Sequence, residues 1–270
     1  LGSIQNGWPV IAATLFTSLK SVSVFSIYNM VFNGVIGILS IFKSGLASSF
    51  GDVIAKNEQK VLQKSYQEFE FSYYMIISWA YSCSLILILP FIKVYTYDIT
   101  DAQYINPLLA FLFVLNGLLY NIKTPQGMLI ISAGMFRETR IQVTIQGLIL
   151  IVASSIFAYF FGLEGVIVGT CLSNLYRTID MLFFVPKYIT RTPVLTSFKR
   201  MLRVFFVVFV SYIPFFSIKL NPTSLQGLIG IAIIIAIYCF AVTLAINLII
   251  EKIMMKRICS RIFYVLKRLI

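Results

Sequence analysis

The sequence contains no histidine, which removes the commonest general base and metal ligand from its chemistry. Acidic residues are scarce as well, 10 against 22 basic ones in 270, and charged residues of both signs make up only 12% of the chain. Soluble domains carry about a quarter. Of the four cysteines, Cys83, Cys171 and Cys239 fall inside apolar runs and Cys259 in a basic tail. That distribution fits neither a disulfide framework nor a zinc site, and the four read as small apolar fillers. There is no nucleophile elbow, no HExxH pair, no glycine-rich phosphate loop and no DxD pair. Asp98 and Asp101 come nearest to paired carboxylates, and a solvated loop accounts for them. These absences argue against an enzyme, a metal site and a bound cofactor. The lack of a basic patch interleaved with aromatics argues against a nucleic-acid partner. No fixed-period repeat or low-complexity linker is present.

What the chain has in abundance is apolar residues, 59% of the total, with a mean hydropathy of +0.90. A water-soluble fold cannot hide so many. The reading is an all-α polytopic membrane protein, since a bilayer core of about 30 Å needs about 20 apolar residues per crossing helix. Apolar runs between polar breaks give eight candidate spans, at 7–19, 22–50, 69–95, 105–133, 141–161, 164–185, 202–218 and 225–250. The longer ones are expected to tilt, or to kink at Pro90 and Pro125.

The basic residues test this reading independently, because cytoplasmic loops are enriched in Lys and Arg. Lys56, Lys60 and Lys64 follow the second span, and Arg137 and Arg140 the fourth. Lys187, Arg191, Lys199, Arg200 and Arg203 follow the sixth, and Lys252, Lys256, Arg257, Arg261, Lys267 and Arg268 the eighth. Opposite loops hold only Lys20, Lys93 and Lys219, a split of 16 to 3 that puts the C-terminus in the cytoplasm. In the tail, Ile258, Ile262, Val265, Leu266 and Leu269 recur at helical spacing opposite the basic residues, so it should lie on an anionic leaflet with membrane lipids as partners. Asp52 to Glu68 is read as a second interfacial or connecting helix. Pro186 and Pro193 mark a boundary between 1–186 and 187–270.

Ionisable groups inside a span are costly and face a cavity or a partner. Lys123 stands out: it lies about 15 Å from the cytoplasmic end of its span at 1.5 Å per residue, farther than a lysine comfortably snorkels. Asn116, Tyr120 and Lys123 share one helical face, with Asn121 on a neighbouring turn. Arg177 and Asp180 are spaced for an intrahelical ion pair. Lys43 is shallower, and snorkelling accounts for it. Asp180 is the one clear carboxylate within a span. All three cations lie in cytoplasmic halves, where an anionic headgroup entering from the inner leaflet would need countercharge.

Four segments carry a family resemblance: SSFGDVIAKNE at 48–58, TPQGMLIISAGMFRETR at 124–140, FGLEGVIVGT at 161–170 and SNLYRTIDMLFFVPKY at 173–188. In order and spacing they resemble the second half of polysaccharide biosynthesis flippases, O-antigen and capsule repeat-unit transporters of the multidrug, oligosaccharidyl-lipid and polysaccharide exporter superfamily. The resemblance implies a second six-helix lobe followed by two additional helices. It implies alternating access in a bacterial inner membrane, with an undecaprenyl-diphosphate-linked glycan as substrate and cationic cavity residues matching Lys123 and Arg177 by type and depth, and Lys43 is kept as a further cavity candidate. An N-terminal lobe of the same protein, absent from this sequence, would be a partner, as would the glycan polymerase and chain-length machinery. The start at Leu1, without a basic leader, is read as that of a fragment.

A cation-coupled drug exporter of the same superfamily is the alternative, with Asp180 or Glu164 as coupling carboxylates. A membrane glycan polymerase or ligase would be expected to carry large charged outer loops, whereas those here are short and nearly uncharged. The basic-residue split predicts topology directly. In intact cells, single cysteines introduced near Thr100 and Asn221 should label from outside, and those near Asn57, Thr139 and Thr196 only after permeabilisation; external labelling at Thr196 would break the topology.

Overall fold

In hydrocarbon a backbone must satisfy its own hydrogen bonds, which for apolar segments of this length means helix. The computed structural model describes residues 2–42, 46–218 and 220–269, with side chains for all of these except residues 2–4, 6, 259 and 262–269. Among the described residues it is all helix and turn, with no strand. The elements are α1 (Gly2–Phe16), α2 (Leu19–Ile41), α3 (Leu46–Ala55), α4 (Gln59–Tyr95), α5 (Pro107–Ile122), α6 (Thr124–Ser132), α7 (Arg140–Val185), α8 (Val194–Tyr212), α9 (Leu225–Ile250) and α10 (Lys252–Leu269). Side-chain caps start three of them. Ser18, Asn106 and Ser224 accept from Ser21 N, Leu109 N and Gly227 N, meeting one orphan amide each at α2, α5 and α9.

Five helical runs are long and apolar enough to cross a bilayer: Leu19–Ile41, Gln59–Tyr95, Pro107–Ser132, Arg140–Thr190 and Leu225–Ile250. Several expected boundaries move. The apolar run 22–50 divides into α2 and α3. The stretch from Asp52 to Glu68 is not one helix, because the chain turns at Asn57, whose φ of 54° is left-handed, before α4 begins. α4 runs through Pro90 without interruption, whereas the run 105–133 breaks at Lys123, just ahead of Pro125. A proline inside a helix withholds one backbone donor and crowds the turn before it. In the tail the backbone of α10 is helical, and Met254 and Met255 are buried against Phe71. The side chains of Ile262, Val265, Leu266 and Leu269, on which the amphipathic reading rests, lie outside the described residues.

α7 is a hairpin. At Gly162 the backbone takes φ 59° and ψ −131°, far from helical values, and the two arms fold back on each other. A Cβ on Gly165 would stand 1.9 Å from the Phe157 carbonyl oxygen, and one on Gly169 would stand 2.3 Å from the Ser154 backbone. Ser173 completes this row of small residues at four-residue spacing, and its hydroxyl donates to the Gln146 carbonyl at 2.9 Å. Such rows let helix backbones touch in a membrane, where packing and hydrogen bonding replace the hydrophobic effect between helices.

α4 is the mast of the bundle, with α5, α8 and α9 packed along it. Gly117 of α5 leaves room for the ring of Tyr81, which a Cβ would meet at 2.7 Å. Trp79 donates to the Ala236 carbonyl at 2.9 Å and fixes α9. Helix ends gather in two groups. At one end Lys93 donates to Asn221, Asn106 to Glu164, and the Tyr28 hydroxyl to the Tyr104 carbonyl. At the other, Gln59 donates to the Thr190 carbonyl, Ser132 to the Ala47 carbonyl, and Arg200 to Glu251. Outward faces are apolar: Leu148, Val152, Ile156 and Phe160 are exposed in a row on α7, as are Ile229, Ile233 and Ile237 on α9. Glu70, Asn116, Asn174, Arg177 and Arg200 are buried instead. That inverted arrangement fits a hydrocarbon surround.

The hairpin seam yields a prediction. Gly169→Ala puts a methyl group into the Ser154 backbone and should cost about 1–3 kcal/mol, the usual penalty for overpacking, lowering the thermal midpoint of the purified protein. Gly34→Ala, where nothing lies within 4 Å of the added atom, should leave that midpoint unchanged or raise it slightly.

Candidate functional site

The break between α5 and α6 places Lys123 at the end of one helix and the start of the next, with φ −83° and ψ −5°. Its ammonium donates to Asn174 Oδ1 of the second arm of α7. Asn174 Nδ2 in turn donates to Asn116 Oδ1 at 2.8 Å, and the ammonium lies 5.3 Å from the centroid of the Tyr120 ring, within cation–π range. Lys123, Asn116 and Tyr120 therefore meet around one asparagine that the sequence reading did not single out. An ammonium has three N–H donors. Asn174 takes one.

This cluster borders a cavity of about 220 Å³ between α1, α2, α5 and α7. Its polar lining is dominated by carboxamides: Gln5 of α1, Asn29 and Asn33 of α2, Asn116 of α5, and Gln146 and Asn174 of α7, with Thr170 and Ser173 beside them. Tyr120 lines it as well. Carboxamides offer both donors and acceptors without net charge, so the cavity suits a neutral, hydroxyl-rich ligand, with the Lys123 ammonium behind Asn174 and Tyr120 of its wall. Asn29 and Asn33 are spaced i, i+4 within an apolar run, a signal the sequence carried unread.

The remaining sequence candidates are placed elsewhere. Asn121 is fully buried on the α4 side of the break, donating to the Tyr81 hydroxyl at 2.7 Å and accepting from the Tyr73 hydroxyl at 3.0 Å. Arg177 lies one turn beyond Asn174, 3% exposed, and is ion-paired with Asp180 as its spacing predicts. Glu164 accepts from Asn106 at 2.7 Å. Because Asn106 caps the far end of α5, Glu164 is about 25 Å from Lys123 along the helix and shares no site with it. Lys43 lies outside the described residues.

Asp180 is not the only carboxylate taken out of water, and here the structure corrects the sequence reading. Glu70 of α4 is 1% exposed and Glu68 is 5% exposed. Glu70 accepts from Arg200 Nη1 and from the Tyr66 hydroxyl, both at 2.9 Å. Arg200 also donates to Glu251 and to the Gln67 carbonyl, and Arg203 donates to Glu251 at 2.8 Å. Glu68 pairs with Arg261 of α10. Burial works to raise the Glu251 carboxyl, but the two arginines outweigh it and hold the group below the ordinary carboxylate range. Sequence reading counted Arg200 and Arg203 with a solvated loop. In the structure both are buried in the first turns of α8, and only the fold brings Arg200 to Glu70, 130 residues away, and both arginines to Glu251, some fifty residues on. Among the described residues no cluster of His, Cys, Asp or Glu is arranged to hold a metal ion. Compared with known protein families, with curated proteins and with solved structures, the chain has no match.

Proposed function

We propose that the chain is part of a membrane transporter that moves a lipid-linked oligosaccharide across the bacterial inner membrane, and that Lys123 takes the phosphate end of the substrate. The observation that carries this reading is the Lys123 ammonium, bonded to Asn174 and set over the Tyr120 ring, both of which line a carboxamide-rich cavity. A lysine within a span costs about 2.5–3.5 kcal/mol on insertion scales, which an uncharged residue would avoid. A cation beside neutral amides is the pairing a phosphate attached to sugar requires. It offers a charge-assisted hydrogen bond to the anion and carboxamide hydrogen bonds to hydroxyls.

Eight crossings follow on this reading: α1, α2, α4, α5 with α6, the two arms of α7, α8 and α9. The C-terminus lies in the cytoplasm, because the basic loops meet at the bundle end where Gln59 joins Thr190. The facing wall of the cavity belongs to an opposing lobe of the same protein. The drug-exporter alternative would use a carboxylate such as Asp180 or Glu164 for ion coupling, yet Asp180, like Glu70 and Glu68, is held by an arginine, and Glu164 accepts from Asn106 at the far end of α5.

The test is glycan export by the full-length protein, at matched abundance in the membrane. Loss of one charge-assisted contact of about 1.5–3 kcal/mol lowers substrate affinity roughly ten- to a hundred-fold, so Lys123→Gln should lose most of the activity. Lys123→Arg should keep part of it, and Asn174→Leu should impair export through the loss of positioning. Export by Lys123→Gln at the wild-type rate would remove the headgroup role.

A further inference from the structure

A second cavity, of about 300 Å³, opens where the start of α8 meets the end of α9, and it shares no lining residue with the first. Lys199, Arg200, Arg203 and Glu251 line it, with Leu195 and Ile250 on its apolar side. Arg200 is fully engaged by Glu70, Glu251 and the Gln67 carbonyl. Arg203 is not. Its Nη1 donates to Glu251 at 2.8 Å and its guanidinium lies 5.0 Å from the centre of the Phe71 ring, yet Nη2 is buried without a hydrogen-bond partner on a side chain only 6% exposed. Leaving a charged donor buried and unpaired is expensive. Three cations surround the cavity, and Glu251 with Glu70 behind it supplies two negative charges. One positive charge is left uncompensated. Leu195 and Ile250 are exposed beside it, as are Leu202 and Ile249, so the polar pocket adjoins a surface that needs hydrocarbon.

We infer that this pocket binds the phosphodiester of an anionic phospholipid. The phosphate would sit against Arg203 and Lys199, and the acyl chains would run along Leu195 and Ile250. The charge balance calls for an anion, the orphaned guanidinium donor for an oxygen acceptor, and the apolar flank for a tail that free phosphate lacks. Occupancy would tie α8 to the α9–α10 junction through Arg203 and Glu251. The site stands whether or not the chain transports glycan, since it uses none of the Lys123 cluster.

Native mass spectrometry of the purified full chain in detergent micelles tests the assignment, with dioleoyl phosphatidylglycerol titrated against dioleoyl phosphatidylcholine. Phosphatidylglycerol should be retained at one per chain, and at least five-fold more tightly than phosphatidylcholine, about what one additional basic contact at a membrane surface provides. Lys199→Gln, at an exposed position, should weaken retention about five-fold. Arg203→Lys, which keeps the charge but loses the planar fork, should weaken it too. Lys187→Gln, which removes an exposed lysine at the same end of the bundle, should not. If Arg203→Lys fails to fold, Lys199→Gln against Lys187→Gln decides the matter alone. Equal retention of the two lipids, or equal behaviour of Lys199→Gln and Lys187→Gln, would overturn the site. Displacement of phosphatidylglycerol by inorganic phosphate at the lipid's own concentration would overturn the lipid in favour of a free anion.

Discussion

A polar group in hydrocarbon has no water to fall back on, and each one left unpaired costs several kcal/mol. The tyrosines of α4 and the ion pairs around Arg200 follow from that constraint. α4 carries Tyr66, Tyr73, Tyr74 and Tyr81 into the interior, and each hydroxyl finds a partner there: Glu70, Asn121, the Ile122 carbonyl, and Asn121 again. Tyrosine suits the task because an apolar ring fills the core while its tip reaches a distant polar atom. Glu70 can be buried because Arg200 meets it, and Arg200 can be buried because Glu70 and Glu251 share its guanidinium. Removing one partner would strand the others. A pair of this kind fixes which helices lie together more than it adds to net stability.

The same constraint explains how α7 can turn back without a polar loop. Gly162 takes a conformation open to glycine, and Gly165, Gly169 and Ser173 bring the second arm into backbone contact with the first. Close approach lets Ser173 reach the Gln146 carbonyl across the seam, while Trp8 of α1 donates to the Ser154 hydroxyl from outside it. Seam and hydrogen bonds support each other: a larger residue at Gly169 would remove the contacts and the partners together.

Which of these features the sequence discloses depends on whether the signal is local. Helix and length are local: hydropathy runs report them, and five helical runs are long and apolar enough to cross a bilayer. Lys123 was legible for the same reason, as a lone cation in an apolar run. Asn174 was not, because an asparagine among Leu175, Tyr176 and Leu172 gains meaning only once α7 lies against α5. Arg200 and Arg203 misled in an instructive way. A basic residue near a span end is normally solvated, and nothing nearby in the chain says that Glu70 and Glu251 will draw these two inward. Asn121 failed differently. It neighbours Lys123 in sequence, but the 100° step between adjacent helical residues turns it towards α4.

That opposition is sharpest at the break between α5 and α6. The break leaves helix-end carbonyls to be met: the Lys123 N–H donates to the Asn121 carbonyl, and on the α4 side Tyr74 donates to the Ile122 carbonyl at 2.9 Å and accepts from Gln126 at 2.9 Å. On the opposite side stands Lys123, with Asn174 taking one of three donors. One face of the interruption is thus closed by tyrosines, and the other sets Lys123 against Asn174 and Tyr120, two residues of the cavity wall. A continuous helix could present a lysine as well. It could not also lock that lysine's backbone to a neighbouring helix through the carbonyl next to it. Holding the donor rigidly while leaving it under-bonded is what recognition of an anion asks of a site, since a pre-organised donor loses little freedom when the ligand arrives.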